Sequence, residues 1–320
     1  MKILFLHPYN VLGDWNHRLK RQIELIEKHF EVKVWSTRIE MISGVTNEMK
    51  ADINKLIKEF QPDIVYICGY ALGSAIDFKN IIYDMGSFIT RNILLKEEGL
   101  LLPEMLKMAE RELMGKIGYS NKVDFHLKEK QAIEKAKAVI CWEGDEHELA
   151  EKIFKCGKKL IPVSFIFSEI PEPIPFKDKI VRTMAIAPKW GDKETNLSLL
   201  RKVEGEINIM SVGHDGNWKR FLPHNRLMDE LNKSRVLFVP HLAGGFGTIM
   251  DGLRLGCNVV TYDWNAFNYY VNDELISTRR GAYSKIQKAL ENYYPPKRDI
   301  PTEKEQLNKI IKICERITKS

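Results

Sequence analysis

Cysteine is scarce, and what there is does not pair. Cys68, Cys141, Cys156, Cys257 and Cys314 are odd in number, scattered, and mostly set in apolar runs. That distribution argues against a disulfide framework or a thiolate metal site and predicts buried, reduced thiols. Long hydrophobic runs are missing too, and none approaches the length of a membrane-spanning helix. The opening Met1-Lys-Ile-Leu-Phe-Leu-His-Pro8 holds a cation and a short apolar run. It breaks at Pro8 and Asn10 without a small-residue cleavage site, so it reads as a first strand and the expected location is the cytoplasm. No basic block interleaved with aromatics occurs, which argues against a nucleic-acid partner. The net charge of +6 over 320 residues suits phosphorylated ligands or an anionic membrane surface instead. Internal repeats, low-complexity segments and Asp-x-Asp motifs are absent as well.

What remains is an ordinary globular composition, 44% hydrophobic and 29% charged, on a chain long enough for two domains of similar size. Apolar runs alternate with amphipathic stretches throughout. In the first half the spacing predicts strands at Lys2–Leu6, Glu31–Trp35, Asp63–Cys68, Lys79–Asp84, Ala138–Trp142 and Lys159–Phe165. Helical patterns lie between them, one carrying Leu19, Ile23, Leu25 and Ile26. Pro171, Pro173 and Pro175 stand at alternate positions within Ser168–Phe176, which cannot be helix or inner strand and reads as an interdomain linker. Strands are again predicted at Thr183–Ala187, Ile207–Val212, Val236–Val239 and Val259–Thr261. Thr302-Glu-Lys-Glu305 is a capping box for a last helix with Leu307, Ile310, Ile311 and Cys314 on one face. The leucine- and methionine-rich segment from Arg91 to Lys116 reads as an apolar loop feeding an amphipathic helix. It would serve either as core under the sheet, the reading we favour, or as a face laid on a membrane.

The stretch from Ser234 to Tyr262 organises the rest. An apolar run breaks at Pro240, passes Gly244-Gly245-Phe246-Gly247, enters a helical pattern expected to open at Thr248, and leaves through a second apolar run. Glycines there admit a ligand close to the backbone, and the free N–H groups of a helix start suit an anion such as phosphate. Asp251, expected in the helix's first turn, could take the hydroxyls of a ribose. The dinucleotide fingerprint fails, since Thr248, Ile249 and Met250 follow Gly247 with no third glycine.

This stretch resembles the donor-site signature of the retaining glycosyltransferases of family four, which have the GT-B fold. Pro240, Gly245, Phe246, Gly247, Gly256 and the strand after it match that pattern, and Asp251 falls near its second glutamate with a spacing one residue shorter. By the same resemblance Gly13, with Asp14 beside it, belongs to a loop after the first strand on the acceptor side. His17 reads either as a contact to acceptor or phosphate or as an exposed residue of a helix start. Lys193 takes the place of a lysine that reaches the donor diphosphate, and Lys189 lies one residue beyond an arginine position. Gly213 and His214 stand in a turn that brackets the base. The departures are Gly244, where the family has its first glutamate, and Gly86, where it has a histidine. Asp84, at a strand end, is the remaining weak catalytic candidate, a turn-capping role being favoured.

The resemblance implies an α/β protein of GT-B type, two Rossmann-like domains facing each other across a cleft. Residues 1–168 would form the acceptor side, 169–178 the linker, 179–300 the nucleotide-sugar side, and 301–320 a helix crossing back. It implies transfer of a sugar from a nucleotide-diphosphate donor, probed through Lys189, Lys193, Gly213, His214, Gly244, Gly245, Phe246, Gly247, Thr248 and Asp251. The acceptor would be a glycan, a lipid or a small molecule. No cofactor and no metal are expected, the nucleotide sugar being a substrate. A non-catalytic nucleotide-sugar or glycan-binding protein, and more weakly a sugar-nucleotide epimerase, stay open as alternatives.

Overall fold

The computed structural model describes residues 1–7, 17–36, 44–85, 89–164, 166–186, 196–213, 216–217, 222–241, 246–262, 268–278 and 280–319. Two compact units emerge, one of Met1–Leu100, Glu104–Phe167 and Thr302–Ser320, the other of Leu101–Pro103 and Ser168–Pro301.

The first unit is built on six parallel strands: β1 (Lys2–His7), β2 (Glu31–Ser36), β3 (Ile64–Cys68), β4 (Ile81–Asp84), β5 (Ala138–Cys141) and β6 (Leu160–Pro162), in the order β2-β1-β3-β4-β5-β6. Inner strands read as continuous buried apolar runs, as they must when helices cover both faces; Ile3 to Leu6 and Ile64 to Ile67 are all buried. β2 is an edge strand and shows no such run. The helices among them are α1 (His17–Glu27), α2 (Asn47–Phe60), α3 (Tyr70–Ala75), α4 (Ile89–Lys96), α5 (Leu102–Lys107, whose first two residues fall in the second unit), α6 (Glu110–Tyr119), α7 (Val123–Lys135) and α8 (Asp145–Phe154). The segment read as a loop feeding one helix is thus three short helices, α4 to α6. Its apolar residues Ile93, Leu94, Leu95, Met105, Leu113 and Ile117 are buried, which is core packing. Helix spacing recurs too briefly in each piece to stand out from a continuous apolar run.

The second unit holds β7 (Ile180–Ile186), α9 (Leu197–Glu204), β8 (Ile209–Val212), α10 (His224–Asn232), β9 (Ser234–Val239), α11 (Phe246–Arg254), β10 (Asn258–Tyr262), β11 (Ile276–Ser277) and α12 (Ala282–Glu291). Its five parallel strands run β11-β10-β9-β7-β8. Residues 168–175 carry no regular structure, as their prolines require. The last helix, α13 (Glu303–Lys319), belongs to the first unit, where Leu307, Ile310, Ile313, Cys314 and Ile317 join Ile23, Ile26 and the strand residues Ile3, Phe5 and Ile140 in one core. At roughly 2 kcal/mol per buried large apolar side chain, this stripe holds the helix far more firmly than helix propensity could. Thr302 and Glu305 close the expected capping box, Glu305 N donating to Thr302 Oγ1 at 3.2 Å and Thr302 N to Glu305 Oε2 at 2.7 Å. Among the described residues no helix is long and apolar enough to cross a membrane.

Candidate functional site

In an open parallel sheet, ligands collect beyond the carboxyl ends of the strands where the strand order reverses. In the second unit that point lies between β7 and β9. There β9 ends in Val239-Pro240-His241 and the chain enters α11 at Phe246. The first turn of α11 carries no acidic residue, so no carboxylate of that turn competes with an incoming anion for its N–H groups. Gly247 and Thr248 sit in that turn, both half-buried. The glycines before them, Gly244 and Gly245, lie outside the described residues, as does the side chain of Phe246.

His241 spans the reversal point. Its Nε2 donates to the Ile186 carbonyl at 2.9 Å, tying the end of β9 to the end of β7. Burial pulls the ring's pKa down to about 4, against the smaller opposing effect of that bond, so the imidazole stays neutral. Sequence reasoning passed over this residue, although a histidine two places past a strand end beside a glycine loop was the signal.

Asp251 behaves differently from its expected role. The helix opens at Phe246 rather than Thr248, which places Asp251 in the second turn, behind the N–H groups instead of beside them. Its carboxylate is buried, accepts a short hydrogen bond from Ser168 Oγ, and lies 3.9 Å from Arg254 Nη1. Arg254 Nη1 in turn donates to the Ser168 carbonyl at 3.2 Å. Asp251 therefore helps anchor the start of the proline-rich segment.

Gly213 follows β8 with φ 134, a conformation open to glycine, and Gly216 N donates back to its carbonyl at 3.0 Å. Asn217 builds the turn: it receives Ser211 N on Oδ1 at 3.0 Å and donates through Nδ2 to the Ile209 carbonyl at 2.9 Å. His214 lies outside the described residues, and so do Lys189 and Lys193.

In the first unit Asp84 ends β4 and is buried. Tyr66 Oη donates to its Oδ2 at 2.7 Å, and Gln22 Nε2 donates to the same phenol oxygen at 3.1 Å. Burial, reinforced by the neighbouring carboxylate, pushes the Tyr66 hydroxyl well above its usual pKa and keeps it a donor. Asp84 is thus held inside the sheet by a tyrosine on the next strand, while the turn after it, at residues 86–88, lies outside the described residues. Gly13, Asp14 and Gly86 lie outside the described residues, as does the side chain of His17. Among the described residues no group of three or more His, Cys, Asp or Glu side chains is placed to hold a metal ion.

No protein-family model matches the chain, and no curated protein matches its sequence. Solved structures do match, end to end. A sucrose-phosphate synthase from Thermosynechococcus elongatus is 12% identical over 100% of this chain and 94% of its own, with a TM-score of 0.62. The UDP-GlcNAc 2-epimerase of Methanocaldococcus jannaschii is 12% identical over 99% and 100%, with a TM-score of 0.56. The lipopolysaccharide outer core galactosyltransferase WaaB is 11% identical over 99% and 99%, with a TM-score of 0.53. Identities this low establish the fold, and the fold is α/β of the GT-B type.

Proposed function

We propose that this protein is a glycosyltransferase of the family-four kind, moving a sugar from a nucleotide-diphosphate donor to a glycan, lipid or small-molecule acceptor with retention. The observation that carries the reading is the α11 N-terminus, glycine-led and without an acid in its first turn, standing at the strand-order reversal of the second unit. That is where a diphosphate would meet backbone N–H groups. Lys193, with Lys189 as helper, supplies the countercharge in this reading, and no metal is needed. The departing diphosphate itself can accept the acceptor's proton, so glycine at positions 86 and 244 is compatible with turnover. The structural likeness to a sucrose-phosphate synthase and to WaaB supports this choice.

The epimerase reading has one specific support, a fold likeness to a UDP-GlcNAc 2-epimerase. A panel of nucleotide sugars separates the readings: transfer or donor hydrolysis marks the transferase, epimer formation the epimerase, and binding without turnover a binding protein. Lys193→Ala should weaken a nucleoside diphosphate by roughly tenfold or more while leaving the bare nucleoside unchanged, since only the former carries the charge. An equal loss for both, or sensitivity to a chelator, would overturn the diphosphate assignment.

A further inference from the structure

The first turn of α4 is held by side chains from helices far along the chain. Glu129 of α7 accepts Ile89 N on Oε1 at 3.0 Å, and Thr90 N and Thr90 Oγ1 on Oε2 at 2.9 and 2.6 Å. Thr90 Oγ1 also lies 2.9 Å from Nδ1 of His126, one helical turn before Glu129 on α7. All three side chains are buried. A hydroxyl with a carboxylate on one side and an imidazole nitrogen on the other can point its single proton one way only. With Glu129 ionised, Thr90 must donate to it, and His126 then donates from Nδ1–H to Thr90. With a proton on Glu129 Oε2, the carboxylic acid donates to Thr90, Thr90 donates to Nδ1, and the imidazole proton moves to Nε2.

We propose that Glu129, Thr90 and His126 form a proton-operated hydrogen-bond chain whose direction reverses with pH. The reversal carries the change into the first turn of α4, behind the β4–α4 connection at the carboxyl end of the first sheet. The groups facing Glu129 agree with this. Tyr83 of β4 offers its hydroxyl at 3.5 Å. Glu146 of α8 faces Glu129 with a like charge and is itself paired to Arg91 of α4. Cys156, beyond α8, feels the same carboxylate. Burial raises Glu129 to about 7, against the lowering effect of the Thr90 and Ile89 bonds, so the change falls near neutrality. His126 is lowered, by burial and then by Lys130, which favours the neutral ring whose tautomer changes.

Nitrogen chemical shifts of the His126 ring, recorded on the full chain between about pH 5.5 and 8.5, read the tautomer directly. The expected result is Nδ1–H at the alkaline end and Nε2–H at the acid end, with a midpoint near pH 7. The Ile89 and Thr90 amides should exchange about fivefold faster at the acid end after correction for intrinsic rates, having lost one charged acceptor. Glu129→Gln should hold one tautomer at every pH. Thr90→Val, which keeps the side chain's shape, should uncouple the ring if the glutamine variant does not fold. A single tautomer across the range in the parent chain would overturn the proposal, as would a switch that persists in either variant.

Discussion

Replacing Arg91 with methionine tests how the first unit tolerates charge in its interior. Arg91 Nε and Glu146 Oε1 lie 3.0 Å apart, without hydrogen-bond alignment, on side chains 2% and 1% exposed. Burial pushes Glu146 up to about 6, and the guanidinium of Arg91 restrains that rise. A carboxyl whose folded pKa lies above its unfolded value binds its proton more tightly when folded. Its stability contribution is therefore present below about pH 4.5 and is lost as pH rises through about 6, a loss on the order of 2 kcal/mol in the parent chain. Without Arg91 the restraint is gone. Near pH 8 the variant must bury an uncompensated carboxylate or take a proton from solution, at a cost of about 3–5 kcal/mol. Near pH 5.5 Glu146 is largely protonated and the part of the cost that comes from stranding its carboxylate falls away, so the loss should be smaller there. Urea unfolding followed by circular dichroism at the two pH values measures the difference. The double variant Arg91→Met/Glu146→Leu should recover most of the alkaline loss, because an apolar pair replaces the ion pair at similar volume. Equal losses at both pH values, or no recovery in the double variant, would refute the reasoning.

Gly216→Ala would set a Cβ 2.5 Å from the Ser211 carbonyl oxygen and 2.9 Å from Gly213 N, both backbone atoms. We expect a loss of about 1–3 kcal/mol in chemical unfolding, together with weaker nucleotide binding by calorimetry. Asn232 receives Ile174 N and donates to the Glu172 carbonyl, while the buried Lys179 ammonium donates to the Asn232 carbonyl and side chain. Asn232→Ala should therefore cost about 1–3 kcal/mol and speed proteolysis within residues 168–179. Gln306, fully buried, receives Ser164 N on Oε1 at 3.0 Å. Gln306→Leu should lower the melting temperature of the first unit by several degrees through the stranded amide, and an unchanged transition would show that the amide finds another acceptor.

The alternation of strands and helices was legible because burial on both faces of a parallel sheet writes long apolar runs into the chain. The irregular backbone of residues 168–175 and the capping box at Thr302 were legible because each acts through its immediate neighbours. Helix α11 was placed two residues late. Thr248 is the more familiar helix opener, yet the chain is already helical at Phe246, and that offset gave Asp251 a ribose-facing role while its carboxylate is turned to Ser168.

The buried charges of the first unit were not legible, for a physical reason. On a helix a glutamate or arginine at the edge of the apolar stripe has the same spacing whether it meets water or another helix. Glu129 and His126 lie in a stretch rich in charged residues, and Arg91 opens what reads as an apolar loop, yet all three are buried. What distinguishes them is the partner, and the partners lie 39 to 40 residues away for Glu129 with α4. A one-dimensional period cannot carry such a pairing. The proposed glycine loop differs in kind: its chemistry would be made by consecutive backbone groups, so adjacent residues are enough to suggest it. A motif carried by consecutive residues is written locally, whereas the polar network of the first unit exists only once the helices have packed.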